Sequence, residues 1–323
     1  MKLNRMVAAV IALCLSGLCI RAEGGPAATG PAAAPASGAD EKSATVNQAY
    51  PGLASGGLTY ARLSNLPKGT VLKTGGLAIG EKQVADEIAK APAALQAQLR
   101  KSAFFLLEKM ATNKLLLVAA RAGAAKAGRD VSKLDERQLF SEYFGKLTGQ
   151  VQVTEAEIAE FYNGNKDAVG AARLEQVKPQ IAQYLRQQKG QKIVAGHVET
   201  LGKRVAIEVS ASWVKDQAAL ARDNPVGRAR ASGRPSLVDF GSKGCRPCDM
   251  LAPILETLRK KYEGKLNVLF ISVREEQILT ARYGVQTIPV QIFFDRNGRE
   301  VFRHVGFYPQ DEIEKKLSEM GVR

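Results

Sequence analysis

Apolar positions along the chain change their period three times. Residues 6–20 form a long apolar stretch behind Lys2 and Arg5. From Val84 onward, Ile88, Leu95 and Leu99 recur at helical spacing, and Phe104, Phe105, Leu107, Leu115, Leu116, Leu117 and Val118 are dense enough for a buried helix, with Pro92 and Gly123 as punctuation. Ahead of that tract, residues 70–79 read as a short β element turning at Gly75-Gly76. Behind it, Thr154 and Glu157 form a capping box that opens a helix carrying Ile158, Phe161 and Tyr162 inward. A helix over 174–201 places Val177, Ile181, Tyr184 and Leu185 on one face. Residues 205–209 then alternate as a strand, and pairing it with the strand near Val71 closes the helical region on itself.

From residue 235 the pattern shortens. Strands are predicted over 237–240 and 266–273, helices over 249–262 and 275–283, a hairpin of 290–294 and 300–305 across Asn297-Gly298, and a final helix over 311–320. This β-α-β-α-β-β-α order predicts an α/β sheet covered on both faces. The fold class is therefore multidomain, a mainly α-helical region followed by an α/β domain.

Composition changes the picture at two places. Residues 23–56 are dominated by Ala, Gly, Pro and Ser, too poor in large apolar side chains to offset their ordering entropy, and read as a tether. Residues 213–230 are polar and contain Asn224-Pro225, which reads as a second linker. The domains are then residues 57–212 and 231–323. The run at the start is too short to span a bilayer comfortably, so residues 1–22 read as a secretory signal, cut after Ala22, and the protein as exported to the periplasm or another extracytoplasmic space. Cys19 leaves a lipid-anchored alternative open, although Leu18 is bulky for that motif. The chain has 323 residues, 45% of them apolar, and a formal charge of +14, which excludes collagen-like, wholly disordered and multi-span membrane classes. The charge alone does not select a partner. The basic run Arg259-Lys260-Lys261 ends an amphipathic helix, where cations suit the dipole, and gives no reason to expect nucleic-acid binding.

Of four cysteines, Cys14 and Cys19 lie in the signal, leaving Cys245 and Cys248 in C-x-x-C spacing. A structural staple across so short a loop would remove little unfolded-state entropy, whereas the spacing suits a redox dithiol. No metal is expected, because zinc needs about four ligands and the two histidines, His197 and His304, supply no paired motif. C-x-x-C follows a strand and opens a helix. Cys245 thus sits at a helix N-terminus, where free amides and the dipole favour a thiolate, and is the nucleophile; Cys248 is the resolving thiol. Arg246 adds a positive charge beside the sulfur, and Pro247 is tolerated in the first turn.

The segments VDF at Val238 to Phe240, CRPC at Cys245 to Cys248, Pro253, YGVQTIPV at Tyr283 to Val290 and VGF at Val305 to Phe307 resemble the thioredoxin family in order and spacing. That resemblance implies a thioredoxin-like fold and thiol–disulfide oxidoreductase activity with no cofactor beyond the Cys245–Cys248 disulfide. It implies further that Asp239 is a buried acid beneath the dithiol and a candidate base, through water, for Cys248, that Pro289 is a cis-proline facing the dithiol, and that Ile288 offers backbone groups to a peptide. Three positions depart from the family: Gly244 replaces an aromatic, Arg246 a glycine, and Phe270 the lysine that accompanies the acid.

The strings VTEAEIAEFYNGNKD, RLEQVKPQIAQYLRQQKGQKIV and LGKRVAIEV resemble the N-terminal chaperone domain of SurA-type and parvulin-associated periplasmic foldases, without room for a prolyl isomerase module. Client binding or dimerisation is what this likeness implies; a helical spacer is the plainer alternative. The expected partners are proteins with disulfides or thiols, an electron-exchange partner such as a membrane thiol reductase, and another copy of the chain. A holdase with a regulatory or incidental dithiol is the competing function, and the direction of electron flow is open.

Overall fold

The computed structural model describes residues 44–164 and 172–323. The signal, Cys14, Cys19, most of the tether and Asn165-Lys166-Asp167 lie outside the described residues. The chain divides into two compact units. One takes in the described residues through Pro92 together with Ala103–Lys215; the other combines Ala93–Ser102 with Asp216–Arg323.

In the first unit, α1 (Val46–Ala49) precedes β1 (Arg62–Ser64), β2 (Thr70–Thr74) and β3 (Leu77–Gly80). The β2–β3 hairpin turns at Gly75, whose φ of +49° suits a residue without a Cβ. Helix α2 (Glu81–Lys90) follows. After the excursion described below come α4 (Ala103–Lys126), α5 (Glu136–Thr148), α6 (Glu155–Gly164), α7 (Leu174–Arg204) and β4 (Glu208–Ser210). As the sequence predicts, the late strand returns to the early one: Leu72 of β2 is paired antiparallel with Val209 of β4, while β1 runs parallel to β4. Phe104, Leu107 and Leu116 of α4 are buried in this unit. The Thr154–Glu157 capping box also forms, with reciprocal bonds of 2.8 and 3.3 Å.

Two segments read as linkers are packed instead. In the tether, Thr45 caps α1 with Gln48, Val46 is fully buried, and Thr45 bridges to Arg62. Residues 213–230 lie in α8 (Ala211–Arg222) and α9 (Pro225–Arg230), which bury Trp213, Val214, Ala218, Ala221, Val226 and Ala229. Asn224-Pro225 is a restart signal here: the Asn224 side chain accepts the Gly227 amide at 2.9 Å, and Pro225 occupies the first turn, where its missing N–H costs nothing.

The second unit is built on the sheet order β6-β5-β7-β8: β5 (Ser236–Gly241) runs parallel to β6 (Asn267–Ser272) and antiparallel to β7 (Val290–Phe294), which pairs with β8 (Glu300–Val305). Helices α10 (Arg246–Lys261), α11 (Gln277–Arg282) and α12 (Gln310–Glu319) complete it. All of β5 is buried, because both faces are covered. Leu237 and Phe293 pack with Leu251, Leu255, Leu258 and Ile313; Val238, Phe240 and Ile292 pack with Val226, Leu279 and Tyr283.

Helix α3 (Ala93–Lys101) corrects the single helical tract expected before residue 212, since it belongs to this second unit. Leu95 and Leu99 are buried. The Gln98 amide donates to the Glu275 carbonyl at 2.6 Å and accepts the Ile278 N–H at 3.1 Å, so a side chain 180 residues away caps the start of α11.

Candidate functional site

Strand β5 delivers the chain to a short loop at Ser242, Lys243 and Gly244, after which Cys245 is the N-cap of α10. Gly244 has φ +79°, a conformation an aromatic side chain would strain, which gives a backbone reason for the glycine at this position. Cys245 and Cys248 are joined as a disulfide with their Cα atoms 5.2 Å apart. The two sulfurs stand in different surroundings: Cys245 is half-buried, Cys248 is 4% exposed. Only the first is open to an incoming polypeptide. Its carbonyl accepts the Asp249 N–H at 2.9 Å, the first hydrogen bond of the helix, so the remaining first-turn amides and the dipole end lie at the dithiol. Arg246 is exposed at the first helical position, and Pro247 follows it.

Asp239 lies on β5, fully buried. Burial pushes its carboxyl from 3.8 up to about 6, against the opposing effect of a hydrogen bond from Gln291. That bond runs from Gln291 Nε2 to Asp239 Oδ1 at 2.8 Å, and Oδ2 has no hydrogen-bond partner among the described residues. A methyl group built on Gly241 would stand 3.3 Å from Oδ2 and 3.4 Å from Cys248 Cβ, so the open oxygen and the buried cysteine flank the same glycine. Phe270 is in register with Asp239 on β6, 42% exposed, and brings no charge to the acid.

The Ile288–Pro289 bond is cis. Val290 pairs with Phe240, which sets Pro289 at the end of the sheet where Gly241 leads into the dithiol loop. Pro289 accepts the Gly306 N–H at 2.9 Å, tying the cis loop to the end of β8. Ile288 is half-buried. His304 stands in register with Gln291, stacks on Tyr308 at 4.2 Å and reaches the Phe307 carbonyl through Nε2 at 3.2 Å; burial lowers its pKa. Among the described residues no group of three or more His, Cys, Asp and Glu side chains forms a metal cage, and no helix is long and apolar enough to cross a membrane.

Sequence reasoning missed Gln291. The signal was a polar residue inside the apolar run VQIFF, but its meaning depends on the β5–β7 register, which pairs it with Asp239. Together, a half-buried sulfur at a helix N-terminus, a buried second sulfur and a nearby acid that burial raises to about 6 are the parts needed for thiol–disulfide exchange.

A family model for a thioredoxin-like domain matches residues 223–321. Thioredoxins from Staphylococcus aureus strains Mu50 and N315 are each 42% identical over 81 residues, spanning 25% of this chain and 77% of theirs. Chloroplastic thioredoxin z and thioredoxin NaTrxh from Nicotiana alata align with 25% and 29% identity over 29% of this chain and 85% and 80% of theirs, each with a TM-score of 0.27. Through its C-terminal unit, the chain belongs to the thioredoxin family.

Proposed function

We propose that this protein is an exported thiol–disulfide oxidoreductase acting on protein disulfides. The observation that carries the reading is the Cys245–Cys248 pair, one sulfur accessible and one buried, at the N-terminus of α10. In the direction that reduces a client, the Cys245 thiolate attacks one sulfur of the client disulfide and displaces the other as thiolate. Cys248 then gives its proton to Asp239, directly or through water, and attacks Cys245. The client's second sulfur leaves and is protonated, two electrons having passed from the dithiol to the client. The reverse reaction uses the same atoms. Ile288 and Pro289 serve the client backbone, and Arg246 and Pro247 tune the first sulfur. No cofactor beyond the dithiol is required.

The signal-like start supports export to the periplasm, with lipid attachment at Cys19 as the less favoured form. A dithiol protein of the membrane, exchanging electrons with Cys245, would return the enzyme to its working state. For the N-terminal unit, the SurA-type resemblance and the β2–β4 closure support client holding or self-association. The same observations favour a second reading, a holdase whose dithiol is regulatory. Reduction of a protein disulfide such as that of insulin by wild type and by Cys245→Ser tests the first reading: the variant should lose turnover. Equal rates, together with full suppression of client aggregation by a Cys245→Ser/Cys248→Ser variant, would decide for the holdase.

A further inference from the structure

Asp239 is a buried acid whose side-chain hydrogen bond comes from Gln291, itself fully buried. A carboxyl in such a place has two oxygens to which a proton can go, and only one of them helps Cys248. The Gln291 amide breaks that symmetry. Its Nε2 donates to Oδ1; the opposite amide orientation would set oxygen against oxygen. Oδ2 is left without a partner among the described residues, against Gly241 on the side of Cys248. On the opposite neighbouring strand the residue in register is Phe270, so no cation takes this part. We propose that Gln291 is the positioning residue for Asp239: by holding Oδ1 it leaves Oδ2 as the oxygen that exchanges a proton with Cys248.

This inference rests on the oxidoreductase reading and specifies its proton path. In the resolving step, the S–H bond of Cys248 breaks and its proton goes to Oδ2. The freed electron pair on sulfur forms the Cys245–Cys248 bond as the Cys245–client bond breaks. The departing client thiolate then takes up a proton. Gln291 neither gains nor loses an atom. Among the described residues, the charged or titratable side chains on elements packed around Asp239 include Asp249 and Glu256 of α10, Arg230 of α9, and Glu300, Arg303 and His304 of β8, and none of them is among the influences on its carboxyl. The His304 ring is engaged by Tyr308 and the Phe307 carbonyl. Burial and the Gln291 bond are the two influences acting on the Asp239 carboxyl.

The test uses the full chain. Gln291→Met keeps the length and apolar bulk of the side chain while removing the amide. Carboxyl carbon NMR on the oxidised protein follows Asp239 without any turnover; loss of a hydrogen bond to the charged form should raise its proton affinity roughly tenfold. Stopped-flow on the reduced protein separates capture of a client disulfide by Cys245 from resolution by Cys248. Resolution at neutral pH should slow several-fold, its pH midpoint moving upward with the carboxyl, while capture keeps its rate. Because Gln291→Met could fail to fold, a second reading uses the wild type: the Gln291 side-chain amide signals should titrate with Asp239 and stop doing so in Asp239→Asn. An unmoved carboxyl midpoint in folded Gln291→Met, a resolution rate unchanged by it, or amide signals that ignore Asp239 would each overturn the proposal. If the wild type shows the linked titration but reduces no protein disulfide, the oxidoreductase reading fails and the positioning of the carboxyl stands. If turnover is intact and resolution ignores Gln291, the positioning role alone falls.

Discussion

Replacing Asp239 with asparagine should stabilise the second unit at alkaline pH and leave it nearly unchanged in acid. The folded carboxyl titrates at about 6 and the free group at 3.8, with burial as the main cause. A folded-state value above the unfolded one means that folding binds the proton more tightly. The protonated group therefore carries its full contribution below about pH 4, and that contribution is lost as pH rises through about 6. The difference corresponds to roughly 3 kcal/mol above the folded midpoint. An asparagine side chain in that place has no charge to bury and can still accept the Gln291 amide. We expect Asp239→Asn to exceed the wild type by about 2–3 kcal/mol at pH 8 and by less than about 1 kcal/mol at pH 4. Because two units need not unfold together, the readout should be hydrogen exchange of the most protected β5 and β7 amides in the oxidised protein, which reports opening of that unit. An advantage of the same size at both pH values would mean that packing, not ionisation, sets the difference. No advantage at pH 8 would mean that Asp239 is not the desolvated acid its burial describes.

Gln98→Ala should lower the stability of the second unit by about 1 kcal/mol, the usual loss when a helix-end partner is removed, and should speed exchange first at the amides that begin α11. Gly202→Ala should destabilise the first unit by about 1–3 kcal/mol in a thermal melt, because a methyl there would come within 2.5 Å of the Gly57 oxygen and 2.8 Å of its Cα. Arg246→Gly should slow capture of a disulfide by Cys245 about twofold at low salt, the two proteins converging as salt is raised, since an exposed guanidinium acts on the sulfur through solvent. Equal rates at low salt would assign Arg246 another purpose.

What was legible in the sequence was chemistry carried by near neighbours. Cys245 and Cys248 are separated by one helical turn, the strand before them is a short apolar run, and Asn297-Gly298 announces its hairpin; each of these is written within about ten residues. The closure of β4 onto β2 was legible as well, because both strands alternate and enclose a helical tract. Gln291 was not, since its value comes from lying opposite Asp239 on an antiparallel neighbour, a fact of register and not of spacing. The linker readings failed for a related reason. Polarity around Asn224-Pro225 marks a break in helix as well as a loop, and only burial of Trp213, Val214 and Val226 tells them apart. Val46 shows the same limit, a lone apolar side chain beside an Ala-rich stretch that is nonetheless fully enclosed.

The cap that Gln98 places on α11 also sets an order of events during synthesis. Its two partners are 177 and 180 residues further along the chain. At the usual elongation rates of about 5–20 residues per second, Gln98 is added to the chain roughly 10–40 s before Ile278. Throughout that interval Leu95 and Leu99 belong to a helix whose unit has not been made, while α4, joined to it through Ser102, already has neighbours to pack against. Biogenesis of the dithiol unit thus begins with a waiting helix and ends with α12, more than 200 residues further along the chain. A chain begun after Ser102 would be released from that wait, and α11 would start without its glutamine.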